Sequence, residues 1–151
     1  MSQAPRHRKL PTIEAPSVSV VVPVYNEARV LPALIPQLRQ LAERCELVVA
    51  DGGSTDGTAE ALAREFRVLA TSKGRARQMN EGARATSGDV IFFLHADSVL
   101  PPNPVDHSLR VARKRDAGCF GIRFDRCHPV LWFCSWMSNA RVRVRGIAYG
   151  D

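Results

Sequence analysis

Two hydrophobic periods take turns along residues 17–94. Ser17-Val-Ser-Val-Val-Val22 is a short β-branched run stopped by Pro23, the pattern of a buried strand. From Arg29 to Arg44 the apolar positions are Leu31, Leu34, Ile35, Leu38, Leu41 and Ala42, a stripe along one side of a helix. Pro32 suits the first turn of that helix. Pro36 lacks the N–H that an interior position needs, and predicts a kink or a late start. Glu46-Leu-Val-Val-Ala50 is a second strand, followed by a helix over Thr58–Glu65 and a strand over Arg67–Ala70. A third helix covers Arg75–Ala85, and Asp89-Val-Ile-Phe-Phe-Leu94 is a fourth strand. This alternation predicts a mostly parallel sheet with helices on both faces. In such sheets ligands bind outside the carboxyl ends of the strands. The loops to read are therefore Pro23–Glu27, Asp51–Asp56, Thr71–Arg77 and His95–Ser98.

After Leu100 the pattern weakens. Residues 106–117 read as helical, Cys119–Phe124 as a strand, and Val130–Arg145 as a helix with an apolar first half. Residues 1–16, with three prolines and mixed charge, read as a disordered lead-in to one domain over 17–151. The chain stops at Gly150-Asp151, after a turn-like Tyr149-Gly150 and with no closing element, and so reads as cut.

Composition narrows the class without changing this picture. With 151 residues, 45% hydrophobic and 24% charged, the chain has the make-up of a soluble globular domain. No apolar run approaches the ~18 residues that span a bilayer. The basic start (Arg6, His7, Arg8, Lys9) lacks the apolar stretch of a secretory signal, and four cysteines in such a chain point to reduced thiols in the cytoplasm. Cys45 is expected in the core. Cys119, Cys127 and Cys134 lack zinc-knuckle spacing and are expected as buried thiols. Collagen, a disulfide scaffold, a membrane span and wholesale disorder are excluded.

Charge is unevenly spread. Residues 1–109 are neutral, with 12 cations and 12 anions, whereas residues 110–145 carry nine cations against Asp116 and Asp125. Within that basic third, Val130-Leu-Trp-Phe-Cys-Ser-Trp-Met137 precedes Arg141, Arg143 and Arg145. Its apolar side would either pack on the sheet or on further chain, or lie at an anionic membrane surface. Nucleic acid is not expected, because the cations are not interleaved with aromatics across the chain.

Carboxylates close three of the four strand ends: Glu27, Asp51 and Asp97. Each could cap a helix, worth ~0.3–1 kcal/mol, and Asp56, just before a helix, reads as a cap as readily as a ligand. Asp51 and Asp97 follow apolar strands, where an unpaired carboxylate is expensive and a bound polar ligand or divalent cation would relieve it. One carboxylate with diphosphate oxygens and water is a common way to hold Mg²⁺ or Mn²⁺. His95, two residues before Asp97, either adds a ligand or lies behind the site. Neither G-x-G-x-x-G nor G-x-x-x-x-G-K-[ST] occurs, which argues against a dehydrogenase, a Rossmann-type methyltransferase and a P-loop nucleotidase.

Taken together, Val22-Pro-Val-Tyr-Asn-Glu27, Val49-Ala-Asp-Gly-Gly-Ser-Thr-Asp-Gly-Thr58, Gly74-Arg-Ala-Arg-Gln-Met-Asn-Glu-Gly-Ala83 and Phe93-Leu-His-Ala-Asp97 resemble a family 2 glycosyltransferase. The last two stretches look like the branch labelled arsenosugar-biosynthesis glycosyltransferases. The resemblance covers residues 17 to about 100 and implies the three-layer, Rossmann-like GT-A fold. By it, residues 17–100 are the nucleotide-sugar half and 101–151 an incomplete acceptor side. It further implies an inverting, metal-dependent enzyme that uses a nucleotide-diphosphate sugar and an acceptor not identified by sequence. Pro23, Tyr25 and Glu27 would line the nucleoside pocket, with Asp51 facing the base and Ala96 beside the nucleotide. Arg77 would approach the nucleotide or diphosphate, and Asp97 would hold Mg²⁺ or Mn²⁺. The family's usual base lies in an acidic pair further downstream; Asp151 is the nearest candidate for it here, although its place reads rather as lining the acceptor side. The chain departs from the family pattern at Asp51-Gly52, where two aspartates are common, and at His95-Ala96-Asp97, where Asp-x-Asp is usual. Two other readings stand beside the enzyme: a nucleotide-diphosphate-binding fragment without turnover, and a basic membrane-surface adaptor.

Overall fold

The computed structural model describes residues 16–124 and 128–145. Four parallel strands form one sheet: β1 (Val18–Val24), β2 (Glu46–Asp51), β3 (Arg67–Ala70) and β4 (Val90–Phe93), in the order β3-β2-β1-β4. β1 is the centre, with Val22 opposite Val49 on β2 and Val20 opposite Phe92 on β4. The connecting helices are α1 (Leu31–Ala42), α2 (Thr58–Leu62) and α3 (Arg75–Arg84); α4 (Pro104–Ala112) and α5 (Pro129–Arg145) follow β4.

The two faces of β1 explain the layers. Successive strand side chains point to opposite sides. Val18, Val20, Val22 and Val24 join one cluster with Leu31, Leu34, Leu38 and Leu41 of α1, Leu62 of α2 and Val105 of α4. On the other face Val21 and Ala50 meet α3 at Gly82, where a Cβ would lie 2.4 Å from Val21 Cγ1. Helix–sheet–helix is thus the layering that the alternation predicts. Strand order follows from handedness: two crossovers step outward from β1 to β3, and α3 then returns across the opposite face to place β4 beyond β1. The order reverses between β1 and β4, the place where open α/β sheets bind ligands.

Three expectations need correction. α1 does not start late: it begins at Leu31 and carries Pro36 inside it to Ala42, because four buried leucines outweigh one missing donor. Residues 119–124 form no strand; Ile122 bonds instead to the Asn139 side chain, N–H to Oδ1 and C=O from Nδ2, both at 2.9 Å. Cys119 and Cys134 are exposed rather than buried, and Cys45 is only half-buried, its thiol donating to Leu41 O. The lead-in over residues 1–15, Cys127 and Asp151 lie outside the described residues.

The amino end of the sheet is closed by a polar knot. Ser19, fully buried, donates to Glu46 Oε2 at 2.6 Å and accepts from Gly88 N at 2.9 Å; Glu46 also accepts from Ser87 N. Ser17 N and Oγ both donate to Asp89. These bonds hold the carboxyls of Glu46 and Asp89 below their ordinary range, and Arg39, Arg44 and Thr58 do the same for Glu65, Asp106 and Asp56. A depressed carboxyl stabilises the fold above its unfolded pKa and loses that contribution as pH falls through the folded value. Glu27, raised, has the opposite sign, but it stands against five. The melting temperature should therefore hold through neutral pH and fall steadily below about pH 4; a flat profile from pH 5 to 2.5 would contradict this.

Candidate functional site

The site begins with two loops sewn together. Asn26 has φ +55°, a left-handed turn that asparagine tolerates. The turn presents successive backbone N–H groups to the neighbouring loop: Asn26 N to Ser54 Oγ, Glu27 N to Thr58 Oγ1 and Ala28 N to Asp56 Oδ2, each 2.9 Å. Asn26 Oδ1 returns the link by accepting from Thr55 N at 2.8 Å. Asp56 thus does structural work, since it also accepts from Thr58 N and Oγ1 at the start of α2.

Asp51 ends β2 almost completely buried. Its oxygens accept from Gly53 N, Ser54 N and Ser54 Oγ, at 2.5–3.3 Å, so the loop itself supplies the partners that burial requires. Asp97 differs. β4 is an edge strand, only half-buried, and Asp97 two residues beyond its end-flanking Leu94–His95 is exposed. The expected desolvation cost therefore applies to Asp51 and not to Asp97.

A cavity of about 230 Å³ opens at the carboxyl ends of β1 and β2, lined by Pro23, Tyr25, Glu27, Lys73, Arg75 and Gln78 among others. Its charges are divided. Lys73 lies 4.2 Å over the Tyr25 ring, and Arg75 lines the wall from the first turn of α3. Glu27 is held above the ordinary carboxylate range, first by partial burial and then by the charge of Asp97, with Arg75 pulling it down and Asp56 adding a smaller rise. Glu27 and Asp97 follow β1 and β4, so the reversal of strand order brings two carboxylates into one field beside two cations. A larger hollow of about 380 Å³ lies at the other end of the sheet, around Ser17, Arg44 and Gly88, away from these groups.

Of the residues predicted from sequence, Pro23, Tyr25 and Glu27 line this cavity, Asp51 closes the adjacent loop, and Ala96 is buried beside Asp97. Arg77 is exposed on α3 and outside the lining. Lys73, Arg75 and Gln78 were missed, although all lie in or next to the loop Thr71–Arg77; the signal was two cations flanking Gly74 at the mouth of a strand–helix turn. No cluster of three or more His, Cys, Asp or Glu suited to a metal occurs among the described residues. Asp97 by itself offers one carboxylate, which fits a cation that takes its remaining ligands from phosphate oxygens and water.

The helix α5 is turned inside out. Leu131, Ser135, Ser138 and Asn139 are half-buried, while Val130, Trp132, Phe133, Trp136 and Met137 are 48–70% exposed. No helix among the described residues is long and apolar enough to cross a membrane.

The family pattern described as "Glycosyl transferase family 2" matches residues 19–149. An undecaprenyl-phosphate 4-deoxy-4-formamido-L-arabinose transferase of Serratia proteamaculans is 32% identical over 110 residues, 64% of this chain and 34% of the relative. Its counterpart in Pseudomonas syringae is 31% identical over 149 residues, 89% of this chain and 44% of the relative. The chain thus spans between a third and a half of these curated relatives. Among solved structures, mannosyltransferase PcManGT of Pyrobaculum calidifontis, in complex with GDP-Man and Mn²⁺, superposes with a TM-score of 0.53 and 27% identity, covering 66% of this chain and 32% of that one. Glucosyl-3-phosphoglycerate synthase of Mycobacterium tuberculosis, bound to UDP, Mn²⁺ and glucosyl-3-phosphoglycerate, gives 0.50 and 28%, covering 64% and 39%. The α/β sheet described above is the GT-A fold of these transferases.

Proposed function

Since this chain belongs to glycosyl transferase family 2, we propose that it binds a nucleotide-diphosphate sugar at the carboxyl ends of β1, β2 and β4. The sugar is then transferred to an acceptor hydroxyl with inversion. The observation that carries this reading is the mixed charge at the cavity: Lys73, Arg75 and Glu27 line it, and the Asp97 charge nearby raises the Glu27 carboxyl. A diphosphate with its cation is the ligand that satisfies both signs of charge at once. Lys73 and Arg75 would face the phosphates, and Asp97 would hold Mg²⁺ or Mn²⁺. When bound, the metal offsets charge on the leaving diphosphate. Pro23 and Tyr25 give the nucleoside an apolar wall, and the Asn26–Asp56 seam keeps both loops rigid around it.

Transfer forms a bond between the acceptor oxygen and the anomeric carbon as the bond to the diphosphate breaks on the opposite side. The acceptor proton passes to a carboxylate; Asp151 is the residue we assign, and it lies outside the described residues. If the chain lacks that step, what remains is donor binding without turnover. Calorimetric titration of UDP and GDP with and without Mn²⁺ tests the reading: binding strengthened by Mn²⁺ is expected, and no binding of any nucleoside diphosphate would overturn it.

For the acceptor side we place the enzyme at the inner, cytoplasmic face of an anionic membrane, beside a lipid-linked acceptor. The support is the outward aromatic face of α5 in a basic third with net charge +7, together with relatives named for undecaprenyl phosphate. Trp132 and Trp136 are the chain's two tryptophans, so intrinsic fluorescence reports on this face alone. A blue shift is expected with phosphatidylglycerol vesicles, weakened by 0.5 M salt and absent with phosphatidylcholine. An unshifted spectrum on anionic vesicles would remove the membrane from the proposal.

A further inference from the structure

Gln78 lies at the floor of the cavity, and nothing proposed above uses it. It reaches from α3 between the carboxyl ends of β1 and β2 and is only 4% exposed. Its Nε2 donates to Val24 O at 2.6 Å and to Ala50 O at 2.9 Å. Both partners are carbonyls, so the amide has one sensible orientation, with the nitrogen toward the strands and both of its hydrogens spent. Oε1 receives no hydrogen bond from the described residues, although the side chain is buried and lines the cavity. An amide oxygen held out of water without a donor is an unmet demand. The neighbouring backbone makes room for it: a Cβ at Gly52 would stand 3.1 Å from Gln78 Cδ and Nε2 and 3.3 Å from Oε1. Asp51, beside it, already has its oxygens engaged by its own loop.

We propose that Gln78 Oε1 reads the nucleobase by accepting its ring N–H. The site then favours bases that carry such a hydrogen, uracil at N3 and guanine at N1. It disfavours cytosine and adenine, whose corresponding nitrogens are bare acceptors and would face the amide oxygen lone pair to lone pair. This rests on the nucleotide reading above and specifies which nucleotides it admits. Asp51 keeps the loop in shape, and the base contact is made by a neutral amide from the helix opposite.

The test is competition between nucleoside diphosphates in the presence of Mn²⁺. UDP or GDP is expected to bind at least about tenfold tighter than CDP and ADP, because a site built around a hydrogen bond rejects ligands that lack the donor. N3-methyl-UDP should lose a similar factor. Gln78→Met removes the acceptor and should bring the UDP-to-CDP ratio close to one. Because that change also frees two strand-end carbonyls, Gly52→Ala provides the second arm. It leaves Gln78 in place and displaces its amide by a few tenths of an ångström, so it should shrink the same ratio while CDP binding stays level. Equal binding of UDP and N3-methyl-UDP to the unaltered protein, or discrimination that survives both variants, overturns the assignment. Failure of every nucleoside diphosphate to bind is a different result, and it overturns the nucleotide reading itself.

Discussion

Asp97→Ala is expected to remove the Mn²⁺-dependent part of UDP binding, weakening the dissociation constant measured with metal by at least about a hundredfold. Residues that merely support a metal ligand are worth 10–100-fold in metal affinity, so loss of the ligand itself should reach or exceed the upper end. A hundredfold is about 2.7 kcal/mol. The effect should be confined to binding. Asp97 is exposed, and substitutions at such positions generally move stability by about 0.5 kcal/mol or less. A second signature distinguishes charge from shape. The Asp97 charge is the second-largest cause holding Glu27 above the ordinary carboxylate range, after burial. In the variant, the Glu27 carboxyl, followed by NMR, should move down and yet remain raised. If UDP affinity with Mn²⁺ is the same in both proteins, Asp97 is not the metal ligand, and the charge division of the cavity loses its meaning.

Gly82→Ala should destabilise the protein by about 1–3 kcal/mol and weaken nucleotide binding along with it. On helix propensity alone the change is favourable by roughly 1 kcal/mol. Packing reverses the sign. The added methyl would lie 2.4 Å from Val21 Cγ1, in the middle of the sheet, and 3.5 Å from Ala50 Cβ. Val21 is fully buried on the central strand and has nowhere to go, so the helix must lift. Gln78 stands one turn earlier on the same face of α3, with its amide clamped to Val24 O and Ala50 O. Lifting the helix stretches both bonds. Chemical denaturation should show the loss of stability, and UDP titration the coupled loss of affinity. A variant as stable as the parent would mean that α3 does not rest on Val21 in solution.

Most elements of the sheet were legible in the sequence because both of their signals are local. β-branched runs between Ser17 and Val22 and between Glu46 and Ala50 could be nothing but strands, and the leucine stripe of α1 marks its buried side. Strand order was not legible, since it depends on which face α3 crosses, and Gly82 records that only once Val21 is known to lie beneath it. The exposure of Asp97 was misjudged for the same reason: an apolar strand reads as central, whereas β4 is an edge. Of the site, Pro23, Tyr25 and Glu27 were found from their place at a strand end. Gln78 was not, because a glutamine in a helix carries no sign of which carbonyls it will reach. At α5 the apolar run was read correctly as a helix, but which side it shows was not legible: Asn139 pairs with the Ile122 backbone, while Trp132 and Trp136 face outward.

The placement of β4 has a consequence for how the molecule comes together. Ser19 meets its Glu46 partner across 27 residues, but Ser17 reaches Asp89 across 72. Closing the longer loop costs more chain entropy and is rewarded only when β4 docks on an already formed β1. The seam between the Asn26 and Asp56 loops can therefore form early, with β1 and β2, while Asp97 arrives last. During refolding, the ability to bind a bare nucleoside should appear before the ability to bind it through a metal, and the lag between the two measures the final strand's arrival.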